Sequence, residues 1–471
     1  MARGVPLTGS SHLSLLRISA ALMCAACAAP RAADTTLTAT ASSIEGRSPS
    51  ADLVASALEL ADLDALSLAP PSADELADPS RDGYWHGAAY AFAPAVREAR
   101  AAALAALARE EAAGAPGPIG LRLVDHEVGG DDALIETVAT FDLLRLLGVG
   151  PAGAETALAR ATSLRALAML GSALWEAPFA VDRARIDLEA ADLRARLQAE
   201  LAAEAGSDLI RVEVLEETGR LGAAPAGVAK GQTRATGGAL EAARGASARA
   251  RAGLALAAGL TPETVGDTPA WGMLERTPDA PAAIDPDHPT LRVTRLELAV
   301  AEARLRSVAA RAWPTLRLGP HLGFPSGGLD PLRLGGVFTA MAPVPSSYEG
   351  LMEGAAVERD RVLERYAEAV LALRVGLRAA VTRLDAAERR VAATASAARA
   401  TAQAWEAARA GFRTGGPLAP WVDAHERRRM AIEAHVAACA ERARAALEAR
   451  RFAGPRPGGP GATALAVEVQ R

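Results

Sequence analysis

A seven-residue repeat of apolar side chains runs along the chain from Leu351 to Phe412, and no proline interrupts it. At about 1.5 Å per residue, a single helix over this segment would be about 90 Å long. Helices of globular domains average about 10–14 residues, and a strict seven-residue repeat winds helices into a left-handed supercoil. The segment therefore predicts a long helix that packs along a second helix in an elongated protein. The repeat and its companion positions comprise Leu363, Val370, Leu377, Leu384, Val391, Ala398, Trp405 and Phe412, with Tyr366, Leu373, Ala380, Ala387, Thr394, Thr401 and Ala408.

The composition fits helix-on-helix packing and argues against a nucleic-acid partner. Of the 471 residues, 50% are apolar but only 4% are aromatic, so the apolar content is largely alanine, leucine and valine. Small aliphatic side chains suit thin layers of helices better than a bulky globular core. A net charge of −5 offers no basic surface for a phosphate backbone. We therefore expect a mainly helical protein that binds no nucleic acid.

The first 33 residues have the organisation of an export signal. Two arginines precede an apolar, small-residue run at 18–29, which is too short to span a bilayer as a helix. Cys27 follows two alanines, the kind of residue that precedes the acylated cysteine of a lipoprotein. Two outcomes stay open, namely lipidation of Cys27 and plain cleavage nearby. If Cys27 is acylated, Cys439 has no partner for an internal disulfide.

Composition divides the rest of the chain into five segments. No segment contains the run of about 18 apolar residues that a transmembrane helix needs. Two of the segments are similar halves, each opened by a proline at a helix start, Pro94 and Pro289. The segments are 34–83, a flexible tether and a short helix over Ala51 to Leu68; 84–262, the first half; 263–287, a linker rich in proline and aspartate; 288–452, the second half; and 453–471, an unpacked tail.

The second half changes from a helical period to a period of two. A helix from Pro289 ends at Trp313, and apolar residues then alternate with polar residues and glycine on both sides of a turn at 325–328. Each alternating run has about 9–11 residues, the length of a tilted strand across a bilayer. The sequence predicts a strand hairpin directly before the long helix. The alternating apolar residues are Leu316, Leu318, Leu322, Phe324, Leu332, Leu334, Phe338, Ala340 and Ala342.

The first half repeats the same order of helix, hairpin, long helix, glycine-rich break and helix. This duplication predicts that both halves build the same kind of unit. The remaining expected elements are a helix over 94–111, strands around 119–128 and 134–147 with a turn at 129–132, a helix over 154–217 with an irregularity at Pro178, a break at 219–227 and a helix ending near Gly259; in the second half, a break at 411–416 and a helix over 418–451.

These features resemble the outer-membrane efflux channel family typified by TolC. The helix starts at Pro94 and Pro289 are similar to the family's Asn-Pro-x-Leu openings, with Ala93 and His288 in the place of asparagine. The segment 412–424 resembles the family's aromatic-x-x-Gly turn and the Leu-Asp-Ala start of its last helix. The resemblance implies a passive conduit from periplasm to exterior, the outer-membrane subunit of a tripartite efflux or type I secretion system. It implies neither enzymatic activity nor a cofactor.

The resemblance also implies the fold and the partners. Each chain of a homotrimer would contribute four strands to a shared transmembrane β-barrel and long antiparallel coiled-coil helices to an α-barrel that extends into the periplasm. The other partners would be a periplasmic adaptor protein, an inner-membrane pump and outer-membrane lipid. A physical argument agrees, because four strands cannot close a barrel and open edges are not tolerated in lipid. Three chains would pool twelve strands, within the range of known barrels.

By the same resemblance, functional residues lie at and just after the two glycine breaks. The breaks would be periplasmic tips that meet the adaptor, with positive φ at Gly222 and Gly415. Asp423 matches the family's acidic residue just past the tip, so three copies would form a cation-selective aperture. Alternatively, Asp423 is an exposed first-turn acid that stabilises its helix N-terminus. The expected tip residues are Leu221, Gly222, Ala223, Thr414, Gly415 and Gly416.

Other patterns leave alternative functions open. The motif Gly-Val-Gly-Pro-Ala-Gly at 148–153 resembles the phosphate-binding turn of a dinucleotide-dependent enzyme, with Glu176 as its acidic residue, but no second strand is expected before that glutamate. His425 and His435 are ten residues apart on one helix, with no cysteine expected near either, so we expect no metal site. An exported periplasmic coiled-coil adaptor or structural protein would share the seven-residue repeat but would not need two strand hairpins.

Overall fold

The computed structural model describes most of the chain between residues 47 and 455. All described residues except Arg47 belong to one compact unit, Ser48–Arg471. The predicted export signal with Cys27, most of both hairpin turns and the tail beyond residue 455 lie outside the described residues. The described ranges are 47–62, 66, 68–115, 120–128, 132–142, 150–266, 271–275, 281, 283–312, 315–325, 333–341 and 348–455.

The described elements follow the predicted order in each half, helix, two strands, long helix, helix. Short helices precede the helix that begins at Pro94, and one follows the last helix of the first half. In chain order the elements are α1 (Ala51–Leu58), α2 (Ala73–Ala77), α3 (Asp82–Phe92), α4 (Pro94–Gly114), β1 (Gly120–Val128), β2 (Asp132–Asp142), α5 (Pro151–Glu217), α6 (Ala223–Ala258), α7 (Pro262–Val265), α8 (Pro289–Ala310), β3 (Thr315–Pro325), β4 (Arg333–Met341), α9 (Glu349–Arg413) and α10 (Leu418–Ala453).

Two very long helices confirm the prediction from the seven-residue repeat in the second half and the predicted helix over 154–217 in the first half. α5 has 67 residues and continues through Pro178, while α9 has 65 residues. Each packs along the helix that follows it, α5 against α6 and α9 against α10. The prediction for the N-terminal helix was wrong in length, because α1 ends at Leu58 instead of continuing to Leu68. No described helix combines the length and the apolar character that crossing a membrane requires.

The apolar seam of α9 is confirmed over most of the predicted positions. Buried side chains recur at Leu373, Leu377, Ala380, Leu384 and Ala387, and again at Trp405 and Phe412 near the end of the helix. The first predicted position was wrong, because Leu363 is 51% exposed and the preceding Val362 is buried in its place. An α-helix has 3.6 residues per turn, so a seven-residue seam drifts around a helix that is not supercoiled throughout.

The two strand hairpins join into one antiparallel sheet. The strand order is β1-β2-β3-β4, so the halves of the chain meet where β2 pairs with β3. The register pairs Leu318 with Phe338 across β3 and β4, as the alternation predicted for one face. Both side chains are exposed in the single chain, Leu318 by 39% and Phe338 by 61%. The sheet therefore keeps this apolar pair uncovered in the single chain.

The main core joins α3, α5 and the linker between the halves. Arg185 of α5 is fully buried and lies 4.6 Å over the ring of Trp271 in the linker. Its guanidinium donates hydrogen bonds to Asp82 at 2.5 Å and to Asp182 at 3.1 Å. A buried cation needs such partners, because an unpaired charge in the interior costs several kcal/mol. The linker is thus packed against the first half.

Candidate functional site

Two short connections link the long helices to their partners, and they coincide with the predicted glycine breaks. The first runs from Thr218 to Gly222 and the second from Thr414 to Pro417, so the predicted residue Ala223 is already the first residue of α6. Positive φ was predicted correctly at Gly415, where φ is +98°. The same prediction was wrong at Gly222, which has φ −72°. Gly219 takes the left-handed conformation in that connection, with φ +72°.

Behind these connections, four helices share a small hydrophobic cluster, which we call the tip cluster. Leu221 packs against it from the first connection, so the structure brings this predicted residue beside the second helix pair. Trp421 is fully buried, with its ring centroid 5.8 Å from that of Trp405 and 5.7 Å from that of Phe412. The buried members are Val212 of α5, Ala226 and Ala229 of α6, Trp405 and Phe412 of α9, and Leu418, Trp421 and Ala424 of α10.

A buried carboxylate ties the two helix pairs together beside the cluster. The side chain of Asp208 in α5 is only 3% exposed. It accepts hydrogen bonds from Arg409 Nε at 2.8 Å, from Arg413 Nη2 at 3.1 Å and from Trp421 Nε1 at 3.2 Å. Donors from three side chains of α9 and α10 thus converge on one anion, which compensates the cost of burying it.

A buried histidine completes the contact between α10 and α6. His425 is fully buried, and its ring centroid lies 5.0 Å from that of Trp405 and 6.0 Å from that of Trp421. Its Nε2 is 3.3 Å from Thr236 Oγ1 on α6. Burial is the main cause that lowers the pKa of His425 below its usual range. The ring is therefore neutral in this packing at neutral pH.

The predicted aperture residue, Asp423, is exposed and paired within its own helix. Its carboxylate is 69% exposed and lies 3.6 Å from the guanidinium of Arg427, one turn along α10. Both residues border a groove of about 510 Å³ between α9 and α10, which is otherwise lined mainly by alanine. The charge of Asp423 is therefore available at the surface.

The described residues form neither the dinucleotide-binding site nor the metal site that were considered from the sequence. Glu176 lies inside the continuous helix α5 and pairs with Arg451 at 2.7 Å, so the dinucleotide-binding arrangement of strand, turn, helix and second strand is wrong. Within the described ranges, no group of three or more histidine, cysteine and acidic residues could hold a metal ion. The expectation that no cysteine lies near either histidine was wrong, because Cys439 Sγ lies 3.8 Å from His435 Nε2.

A second cavity, of about 580 Å³, lies where α8 begins. Its two arginines are already paired, Arg292 with Asp62 at 3.1 Å and Arg295 with Asp287 at 3.3 Å. The cavity therefore offers no uncompensated charge to a ligand, and the connections with the tip cluster remain the candidate functional site.

The prediction from sequence missed Asp208 and the role of His425. Both lie in helical segments that are rich in charged residues, where an acidic residue or a histidine is usually solvated. The sequence offers one clue to the burial of His425. Three of the few aromatic residues, Trp405, Phe412 and Trp421, lie close to it near the same helix connection. Nothing local to Asp208 marks it, since its partners are about 200 residues away in the chain.

The fold is shared with solved outer-membrane channels. The outer-membrane channel OprN is 17% identical, with a TM-score of 0.66 over 84% of this chain and 96% of that chain. VceC from Vibrio cholerae is 15% identical, with a TM-score of 0.64 over 79% of this chain and 96% of that one. The open state of MtrE from Neisseria gonorrhoeae is 16% identical, with a TM-score of 0.64 over 80% and 89%. No family model matches the sequence, and no curated protein matches it.

Proposed function

We propose that the chain is one subunit of a trimeric outer-membrane channel, a passive conduit in a tripartite efflux or type I secretion system. The observation that carries this proposal is one four-stranded sheet joined to two pairs of long antiparallel helices, a fold shared with solved outer-membrane channels over most of their length. The sheet would lie in the outer membrane of a Gram-negative-type cell and the helices in the periplasm. Such a conduit has no need of catalytic residues.

Uncovered edges and side chains support association with further copies of the chain. In the described part of the sheet, β1 and β4 are edge strands, and lipid does not tolerate their unpaired backbone groups. The long helices also keep large apolar side chains in water, with Leu256 71% exposed, Leu371 62% and Val375 59%. Neighbouring copies would pair the edges and cover these side chains. Three copies pool twelve strands, which is within the range of known barrels.

The proposed function is tested by purifying the full-length protein from the outer membrane in detergent and adding it to a planar lipid bilayer. We expect a trimer that conducts ions in discrete steps. A soluble monomer without conductance would favour the periplasmic adaptor or structural protein instead. The export signal predicted over residues 1–33 and lipidation of Cys27 are tested on the same material by mass spectrometry of the mature N-terminus.

An arginine on the proposed lipid-facing side of the sheet should impair trimer assembly. Leu318 and Phe338 are paired in register and exposed, so Leu318→Arg or Phe338→Arg would place a charge against lipid. The cost is about 2–4 kcal/mol at mid-bilayer and less near the interfaces, and Leu318 lies near one end of β3, so we expect about 2 kcal/mol for each chain. The yield of trimer extracted from membranes measures the effect.

Thr339→Glu is the matched control, because neighbouring residues of a strand point to opposite faces. Thr339 is exposed and paired in register with Arg317, so a glutamate there adds a charge on the opposite face beside a cation. Gly319 is buried in the single chain, which makes it a poorer control. Equal trimer yields for Leu318→Arg, Phe338→Arg and Thr339→Glu would overturn the membrane assignment.

The two helix connections are proposed to be periplasmic tips that bind an adaptor protein, which in turn engages an inner-membrane pump. Gly222→Trp and Thr414→Trp should leave the trimer intact but reduce capture of the adaptor at least tenfold. Both positions are exposed, and a Cβ at Gly222 would meet only Pro225, at 3.7 Å. Gly415 is unsuitable for this test, since any other residue would be strained at φ +98°. Undiminished capture of the adaptor by both variants would reject the placement.

Asp423 is proposed to form a cation-selective aperture from three copies around the symmetry axis. Asp423→Asn should lower selectivity for cations and weaken block by multivalent cations several-fold, because the ring would lose its three charges. Trimer stability should change by less than about 1 kcal/mol, as expected for an exposed ion pair. Arg427→Gln is the informative companion, because it removes the partner of Asp423 and should strengthen the block. Unchanged single-channel selectivity in both variants would leave Asp423 as a helix-start residue only.

A further inference from the structure

His425 stands out among the titratable residues because its packing leaves no place for a positive charge. Thr236 Oγ1 lies 2.9 Å from Gln232 O, to which its hydroxyl donates, so the hydroxyl oxygen accepts from His425 Nε2. Nδ1 is then the unprotonated nitrogen. It is buried, and no described atom forms a hydrogen bond with it. Protonation would therefore create a buried cation whose new N–H has no acceptor.

The carboxylates near His425 are already occupied by arginines. Glu204 of α5 pairs with Arg428 of α10 at 2.5 Å, and Asp208 of α5 binds Arg409 at 2.8 Å. A protonated imidazole would have to compete with these guanidinium groups for an anion.

On the helix of His425 and on the facing helix, too, no carboxylate is left without a partner among the described side chains around the ring. Glu426, the next residue of α10, pairs with Arg429. From α6 the neutral side chains Gln232 and Thr236 face this region, Gln232 as a donor to Glu426 at 3.3 Å. The surroundings of His425 thus hold balanced charges that favour its neutral form.

We propose that His425 is a pH-sensitive contact between the two helix pairs, in which the neutral ring holds α10 against α6 and protonation in mildly acidic solution releases the tip cluster. The charged ring gains its hydration by turning toward water, and this movement withdraws it from Trp405 and Trp421. Both tryptophans belong to the tip cluster, which joins the two helix pairs. On the proposed channel function, the result would be a tip that loosens under acidic conditions. Only that last consequence rests on the proposed function.

The direction of the pH dependence follows from the lowered pKa of the packed ring. A free histidine titrates at about pH 6.5, and burial moves the pKa of His425 below that value. Its contribution to the packed state is complete above about pH 6.5 and is lost as the pH falls from there toward the lower pKa. Because one proton is taken up at each site, the equilibrium shifts by at most about tenfold per pH unit in this window.

The first test needs no variant. Residue-specific exchange of the imidazole C2 hydrogen, followed by mass spectrometry of the full-length protein in detergent, gives the titration midpoint of each histidine. We expect a midpoint for His425 clearly below that of a free histidine peptide in the same buffer. A midpoint at or above the peptide value would overturn the proposal.

The second test reads the release of the tip directly. Amide hydrogen exchange over residues 221–236 and 405–425, corrected for the intrinsic rate, should accelerate as the pH falls below about 6.5, by up to about tenfold per pH unit. His425→Gln stays neutral and can still donate to Thr236, so its corrected exchange should be independent of pH. His435→Gln removes another histidine of α10 that contacts Thr394 instead, and it should behave like the wild type.

Equal pH dependence in the wild type and His425→Gln would overturn the proposal, and so would a wild-type tip that does not respond to pH. Neither test uses channel activity. A protein that does not conduct would therefore refute the proposed function while the titration and exchange results still decide the role of His425.

Discussion

Trp421→Ala should destabilise the tip cluster by about 3–5 kcal/mol, the range for removing a fully buried tryptophan. The indole packs against Trp405 and Phe412, so its loss leaves a cavity that helices fixed along their whole length cannot close. The indole N–H also donates to Asp208, and that bond is lost as well. Since about 1.4 kcal/mol corresponds to a factor of ten, amides of residues 405–425 should exchange at least 100-fold faster.

Trp175→Ala provides the matched control for this prediction. Trp175 belongs to α5 and packs edge-on against Phe179, with ring centroids 4.8 Å apart, outside the tip cluster. The same loss of volume there should leave exchange at residues 405–425 unchanged. If Trp421→Ala exchanged no faster than this control in that segment, the tip cluster would not be a stabilising core.

Asp208→Asn should have the second largest effect, about 2–4 kcal/mol. The change keeps the shape of the side chain but removes the anion on which donors from three side chains converge, and the amide N–H₂ cannot accept in place of the oxygen that it replaces. Arg413 is half exposed and can turn to water, whereas Arg409 is only 21% exposed and loses its countercharge in a poorly hydrated place. Amide hydrogen exchange at residues 405–425, followed as a function of denaturant concentration, measures the loss.

Two comparisons separate the buried charge from other effects of Asp208→Asn. Asp423→Asn removes an exposed acid of the same type near the same connection, and its effect should stay below about 1 kcal/mol. Trp421→Phe keeps a ring but removes its N–H, so the double variant with Asp208→Asn should be less destabilised than the sum of the single variants. Equal effects of Asp208→Asn and Asp423→Asn would show that burial of Asp208 adds nothing.

The long helices and their connections could be predicted from the sequence because the signals are local. A seven-residue repeat without proline predicts α9 with its end near Phe412, and glycine at 415 predicts the left-handed turn that follows. Alternation of period two predicts β3 and β4, and the pairing of Leu318 with Phe338 agrees with it. The error at Gly222 has a local cause too. Two glycines lie in that connection, and the pattern does not show which of them takes positive φ.

Local patterns of residues therefore predicted the main elements of the two halves, their order and the apolar face of α9, because propensity, periodicity and turn residues act over a few neighbouring positions. The folded chain alone shows that β2 pairs with β3, that Asp208 binds Arg409 and Arg413, and that His425 contacts Thr236. These contacts join residues far apart in the chain. Their energies depend on burial and on the exact partner of each polar atom, which no local pattern of residues encodes.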